Sequence, residues 1–302
     1  MMKRLVSRNT ASIFISQLNV GTVIHEHDRK IMKKIAFIGA GNMNGAIISG
    51  LVQGGFAPEN IMVSNPSPEK RLALEAKHGI RQTESNIEAS TFADVIVLGV
   101  KPYLIADVCQ QLSENLNVSD KCFISVAAGC TIAQIEQALN QPCTVIRTMP
   151  NTPSQIGFGV TGIYANAHIS DEERAFTTSM MESVGIVKWL ESEQQIDHII
   201  AVSGSAPAYF FLFMEAIEKQ AKAYGFSDED SRALVQQTAL GAAKMVTENS
   251  QLPISKLREN VTSKGGTTQA AISSFSEGGL EQLVTKAMTC ALDRAKEMAK
   301  KA

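Results

Sequence analysis

Two short stretches hold residues whose types and spacing could do chemistry. Residues 33–48 read KKIAFIGAGNMNGAII, an apolar run that meets two glycines and then a helical pattern. Gly39 suits a tight turn, and Gly41 lets a backbone approach a pyrophosphate ligated by N–H groups of the helix start. In the G-x-G-x-x-G/A fingerprint the third small residue is replaced by Asn44, with glycine one place later at Gly45. That third place serves only helix–strand packing, and Gly45-Ala46 are expected to relieve the crowding. Residues 262–268 read TSKGGTT. A turn rich in hydroxyls and glycine, opening a helix at Gly266 or Thr267, offers N–H groups and Ser/Thr donors to a carboxylate. A plain helix cap is the other reading of the same residues.

The elements between these stretches must position them. Short apolar runs at 34–39, 60–65, 94–100, 122–127, 144–149 and 160–165 alternate with helical patterns. Such alternation, with nearly unbroken apolar strands, means a mostly parallel sheet covered on both faces, its last strand open to an antiparallel placement. After residue 169, Ser170-Asp171-Glu172-Glu173 reads as a helix cap with acids in the first turn, and a strand follows at 186–190. The chain is then helical nearly to its end, with breaks at 203–207, 225–227, 250–253, 263–266 and 278–279. The expected fold is α/β: a doubly wound dinucleotide-binding sheet of Rossmann type over 32–165, then an all-α domain over 166–302. These helices have little sheet to cover, so their apolar surface is expected to meet a second copy. Residues 1–31 read as an extension or an over-long frame, with Met32 as the natural start.

Composition narrows the function. Across 302 residues the net charge is −2 with 19% charged residues, which gives no footprint for nucleic acid or an anionic membrane surface. No apolar run reaches the roughly 18 residues of a bilayer span. The five cysteines form no C-x-x-C pair and read as buried reduced thiols of a cytoplasmic protein. The histidines have no metal-ligand spacing, and no metal is expected.

The strand ends bear on the cofactor. The second strand closes with VSNPSPEKR, with no acid before Glu69 to take a ribose 2′-hydroxyl. Ser64, Asn65 and Ser67, with Lys70 and Arg71 nearby, suit a 2′-phosphate, so NADPH is favoured and NADH is the weaker alternative. Lys70 and Arg71 also read as the solvated face of the next helix. LGVKP at 98–102 and SVAAG at 125–129 close two further strands with small residues that make room for a nicotinamide ribose and ring. SGSAPAY at 203–209 reads equally as a pocket wall or as a close helix crossing.

FIGAGNM, VKP, AAG, RTMPNTP, SGSAPAY and VTSKGGTTQAAI together resemble the pyrroline-5-carboxylate reductases over residues 33–299. The resemblance implies reduction of the cyclic imine 1-pyrroline-5-carboxylate to L-proline, the last step of proline biosynthesis. It implies that Gly39, Ala40, Gly41, Asn42 and Met43 bind the pyrophosphate, with Asn65 at the adenosine ribose and Asn86 on the adenine side. Val100, Lys101, Pro102, Ala127 and Ala128 would line the nicotinamide half. Ser263, Gly265, Gly266, Thr267 and Thr268 would hold the substrate, Thr268 orienting the ring nitrogen or relaying its proton. It further implies a homodimer through the C-terminal helices, with a ring of dimers beyond it. The sequence departs from the family pattern at Asn44, at Lys264 where proline is common, and at Gln251 where many members carry Glu. Two other functions compete. A β-hydroxyacid dehydrogenase wants an inter-domain lysine, but Lys219, Lys222 and Lys244 lack a Gly-x-x-Lys setting. A redox-sensing protein would hold NADP without turnover.

Overall fold

The computed structural model describes residues 33–299, so the reading of 1–31 lies outside the described residues. The eight strands are β1 (Ile35–Ile38), β2 (Ile61–Ser64), β3 (Arg81–Thr83), β4 (Val95–Leu98), β5 (Cys122–Ser125), β6 (Thr144–Met149), β7 (Gly159–Ala165) and β8 (Gly185–Trp189). They form one sheet in the order β3-β2-β1-β4-β5-β6-β7-β8. Pairing is parallel from β3 to β6, antiparallel between β6 and β7, and parallel again between β7 and β8. β3 was not expected from sequence. It is an edge strand of three residues, Arg-Gln-Thr, too short and polar to show an alternating pattern.

Successive strand residues point to opposite faces, and both faces are buried. Ala36 and Ile38 join a core with Ile96, Leu112, Phe123 and Leu139, whereas Ile35 and Phe37 join another with Ile47, Leu51, Val97 and Met181. The helices that cover them include α1 (Asn42–Gln53), α2 (Pro68–His78), α3 (Asn86–Phe92), α4 (Ile105–Asn115), α5 (Ile132–Leu139) and α6 (Asp171–Glu182). Ser170 begins α6 with a capping box to Glu173, as its sequence requires. Both α6 and β8 follow residue 165 and complete the sheet. Burial pushes the Cys109 thiol up to about 12 and those of Cys130 and Cys143 to about 11, and it raises Cys122 as well. Cys290 departs from the expectation of burial: it is exposed.

Beyond the sheet lie α7 (Gln194–Ile199), α8 (Ala206–Ala223), α9 (Asp228–Glu248), α10 (Ile254–Asn260), α11 (Thr267–Glu277) and α12 (Leu280–Ala299). A π turn, Ile200–Gly204, joins α7 to α8 without ending the helical path. This corrects the expectation that nothing reaches spanning length. The helical stretch Gln194–Ala223 has 30 residues and contains an 18-residue window with a mean hydropathy of 1.4 and little burial, enough by length and composition alone. In the sequence 203–207 reads as a break, whereas the π turn absorbs it. No residue of α8, α10 or α11 is buried, and Phe210, Phe211 and Leu212 are each more than 60% exposed. These helices have apolar faces but no core within one chain.

Candidate active site

Strand order reverses between β1 and β4, and the two glycine-bearing ends meet there. Gly39 has φ +98°, and a Cβ on it would stand 2.9 Å from the Gly99 carbonyl oxygen. A side chain is excluded twice, by backbone conformation and by contact. Gly41 is the N-cap of α1, with no side chain capping the helix and no acid in its first turn. Its missing Cβ would meet only Gly99 O, at 3.9 Å, so the approach to the helix N-terminus is open.

Asn44 is buried beneath this turn. Its Nδ2 donates to the carbonyls of Gly39 at 2.7 Å and Ile38 at 3.3 Å, while Oδ1 is buried without a partner. A Cβ on Gly99 would lie 2.2 Å from Asn44 Nδ2. Gly99, the glycine of LGVKP, therefore accommodates the large third residue. Gly45 does not, contrary to expectation: its Cβ would point to Leu74 at an ordinary 3.6 Å.

At the end of β2, Asn65 Oδ1 accepts from Ala40 N–H at 3.2 Å, tying that strand end to the glycine turn. Ser64 Oγ donates to Asn86 Oδ1 at 2.7 Å at the start of α3. Lys70 is exposed, and Arg71 lies against Gln82 and Glu84. On the other side of the switch, Val100 is half-buried, Lys101 exposed, and Pro102 opens a 3-10 turn. Ala127 is buried and Ala128 half-buried after β5. Ser125 accepts from Thr148 Oγ1 at 2.9 Å through its carbonyl, which locks the ends of β5 and β6.

SGSAPAY meets the sheet at that same end. Asn151 Nδ2 donates to Ser203 O at 3.0 Å, and a Cβ on Gly204 would stand 2.8 Å from Met149 Cε. Small residues here let the π turn lie on the end of β6.

Sequence reasoning missed Arg147, in the middle of β6 and 1% exposed. Its Nη1 lies 3.0 Å from Glu193 Oε1 and its Nη2 2.9 Å from Asp197 Oδ1. Glu193 also accepts from Ile132 N–H at 2.9 Å at the start of α5. The cluster ties the loop after β5, strand β6 and helix α7 together. A lone arginine inside an apolar strand was the available signal.

The turn 262–268 stands apart. Gly265 has φ +74°, Gly266 caps α11, and Ser263, Gly265, Thr267 and Thr268 are exposed. Among the described residues its hydrogen bonds stay within 258–270, such as Gly266 N–H to Ser263 O at 3.0 Å. Gly39 thus lies against Val100, Asn65 is bonded to the glycine turn and Asn86 to the end of β2, so these residues adjoin at the switch point, while the Thr268 turn is open on one side. No group of His, Cys, Asp and Glu suited to a metal occurs among the described residues.

A mostly parallel sheet with an uncapped glycine turn at its switch point, followed by apolar helices, defines a dinucleotide-binding α/β chain. Residues 34–129 match the family described as NADP oxidoreductase, coenzyme F420-dependent, and residues 193–298 match pyrroline-5-carboxylate reductase dimerisation. The chain is 52% identical over 268 residues to the pyrroline-5-carboxylate reductase of Vibrio alginolyticus, covering 89% of this chain and 98% of that protein. It superposes on the Coxiella burnetii pyrroline-5-carboxylate reductase with a TM-score of 0.84 at 41% identity, over 89% of this chain and 99% of that one. The Plasmodium falciparum pyrroline carboxylate reductase, solved with NADP bound, gives a TM-score of 0.79 at 28% identity, over 88% and 98%. The chain belongs to the pyrroline-5-carboxylate reductase family.

Proposed function

We propose that this chain reduces 1-pyrroline-5-carboxylate to L-proline with NADPH. The observation that carries the reading is likeness to the Vibrio alginolyticus reductase along 98% of its length, spanning sheet and helices alike. The glycine turn fits the cofactor, with an open cradle at Gly41, no acid in the first turn of α1, and no carboxylate at the end of β2. When bound, NADPH supplies the hydride for the imine carbon.

The chain's own residues do the rest. Gly39 to Met43 present main-chain N–H groups to the pyrophosphate, and Asn65 and Asn86 border the adenosine. Val100, Lys101, Pro102, Ala127 and Ala128 line the nicotinamide half. Ser263, Gly265, Gly266 and Thr267 hold the substrate carboxylate through N–H and hydroxyl donors at the start of α11. Thr268 orients the ring nitrogen, because an unassisted threonine hydroxyl is a poor base. The division of labour falls after Trp189, where the sheet ends, with the cofactor unit before it and the substrate and dimerisation unit after it.

The assembly is a homodimer through α8 to α12, with a ring of dimers as the next level, in the cytoplasm. A second copy gives the apolar faces of α8 a protein surface in place of a membrane. It also supplies the missing side of the Thr268 turn.

The test is loss of NADPH absorbance with 1-pyrroline-5-carboxylate, with proline measured as product. Thr268→Ala is expected to lower kcat/KM about 100-fold, as loss of orientation does. A wild-type chain that binds NADPH but never oxidises it with this substrate would sink the reading. An unaffected Thr268→Ala would remove only the role given to Thr268.

A further inference from the structure

At the adenosine end most polar groups are already committed. Asn65 uses both ends of its amide, Oδ1 on Ala40 N–H at 3.2 Å and Nδ2 on Ser67 O at 3.0 Å. Asn86 Oδ1 is taken by Ser64. Arg71 differs. It stands in the first turns of α2, where Nη1 donates to Gln82 Oε1 and Nη2 lies 3.7 Å from Glu84 Oε2. Its Nε is buried and unpartnered.

Gln82 pairs in register with Val63, and Glu84 directly follows the last residue of β3. The guanidinium therefore lies over the carboxyl ends of β2 and β3, the edge where an open α/β sheet receives its ligand. Gln82 is neutral and leaves the charge of Arg71 intact. The Glu84 side chain is 79% exposed, and 3.7 Å exceeds hydrogen-bond range, so this pair is weak and screened. Arg71 is held in place without being neutralised. Lys70 beside it is exposed, a mobile charge with no such orientation.

We propose that Arg71 selects the 2′-phosphate of the cofactor and that Glu84 is the counter-charge which the phosphate displaces. The proposal rests on the reading of this chain as an NADPH-dependent reductase. A phosphate accepts parallel N–H bonds from a guanidinium, which the distant Glu84 carboxylate does not. Glu84 also repels the incoming phosphate, so it moderates the preference for NADPH over NADH.

Calorimetric binding of adenosine 2′,5′-bisphosphate and of 5′-AMP isolates the 2′-phosphate without any turnover. Arg71→Gln is expected to weaken the bisphosphate about 10- to 100-fold and 5′-AMP far less, with Arg71→Lys recovering part of the loss. Glu84→Gln, on an exposed side chain, is expected to tighten the bisphosphate about two- to fivefold. The ratio of kcat/KM for NADPH over NADH should follow both changes. Equal weakening of both ligands by Arg71→Gln, or none of either, would overturn the proposal while leaving the reductase reading in place. A wild type with no preference for the bisphosphate would remove the NADPH reading as well.

Discussion

Asn44 and Gly99 are a matched pair. The larger third residue of the glycine turn occupies space that only a glycine at 99 leaves free, since a Cβ there would meet three Asn44 atoms within 2.4 Å. Gly99→Ala is expected to destabilise the fold by about 1–3 kcal/mol, the range for overpacking a filled core. Combining it with Asn44→Ala should return most of that loss, because the clash and its cause leave together. Urea unfolding of the two single variants and the double variant checks this, and simple additivity would refute the pairing. Asn44 was legible in the sequence as a departure from the fingerprint. Its partner was not, because only the adjacency of β1 and β4 brings residue 99 to residue 44. Gly45, the near neighbour in sequence, points elsewhere.

Among elements, strands with long apolar runs declared themselves, as did the Ser170 cap. β3 and the π turn did not. Three polar edge residues carry no periodicity, and a π turn looks like a break because Ser203, Gly204 and Pro207 resemble loop residues. The buried Arg147 cluster shows what that junction depends on. Its acids reach it from α7 and from the residue before it, so β6 is fixed to the start of the helical half. Arg147→Met is expected to cost about 3 kcal/mol, the low end for breaking a buried pair, because Glu193 and Asp197 retain 28% and 23% exposure and can turn to water. A lowered urea midpoint with unchanged slope would fit. An unchanged midpoint would mean that packing alone holds α7 to the sheet.

For the whole molecule, the sheet half is closed over its own core whereas the helical half is not. Each Phe or Leu on α8 that becomes covered contributes about 1.5–3 kcal/mol, so a second copy offers large stabilisation. Phe211→Glu, placing a charge on that face, is expected to shift sedimentation to the single chain. It should also abolish turnover, because the Thr268 turn then lacks its second side. A variant that stays dimeric would relocate the contact. The same asymmetry divides refolding into two kinetic orders. The sheet half can reach its native packing at a rate independent of chain concentration. The helices past α7 bury few residues within one chain, such as Val235 and Ala295, and gain most of their burial by encounter, so recovery of activity on dilution becomes second order, limited by collision rather than by any step inside one chain.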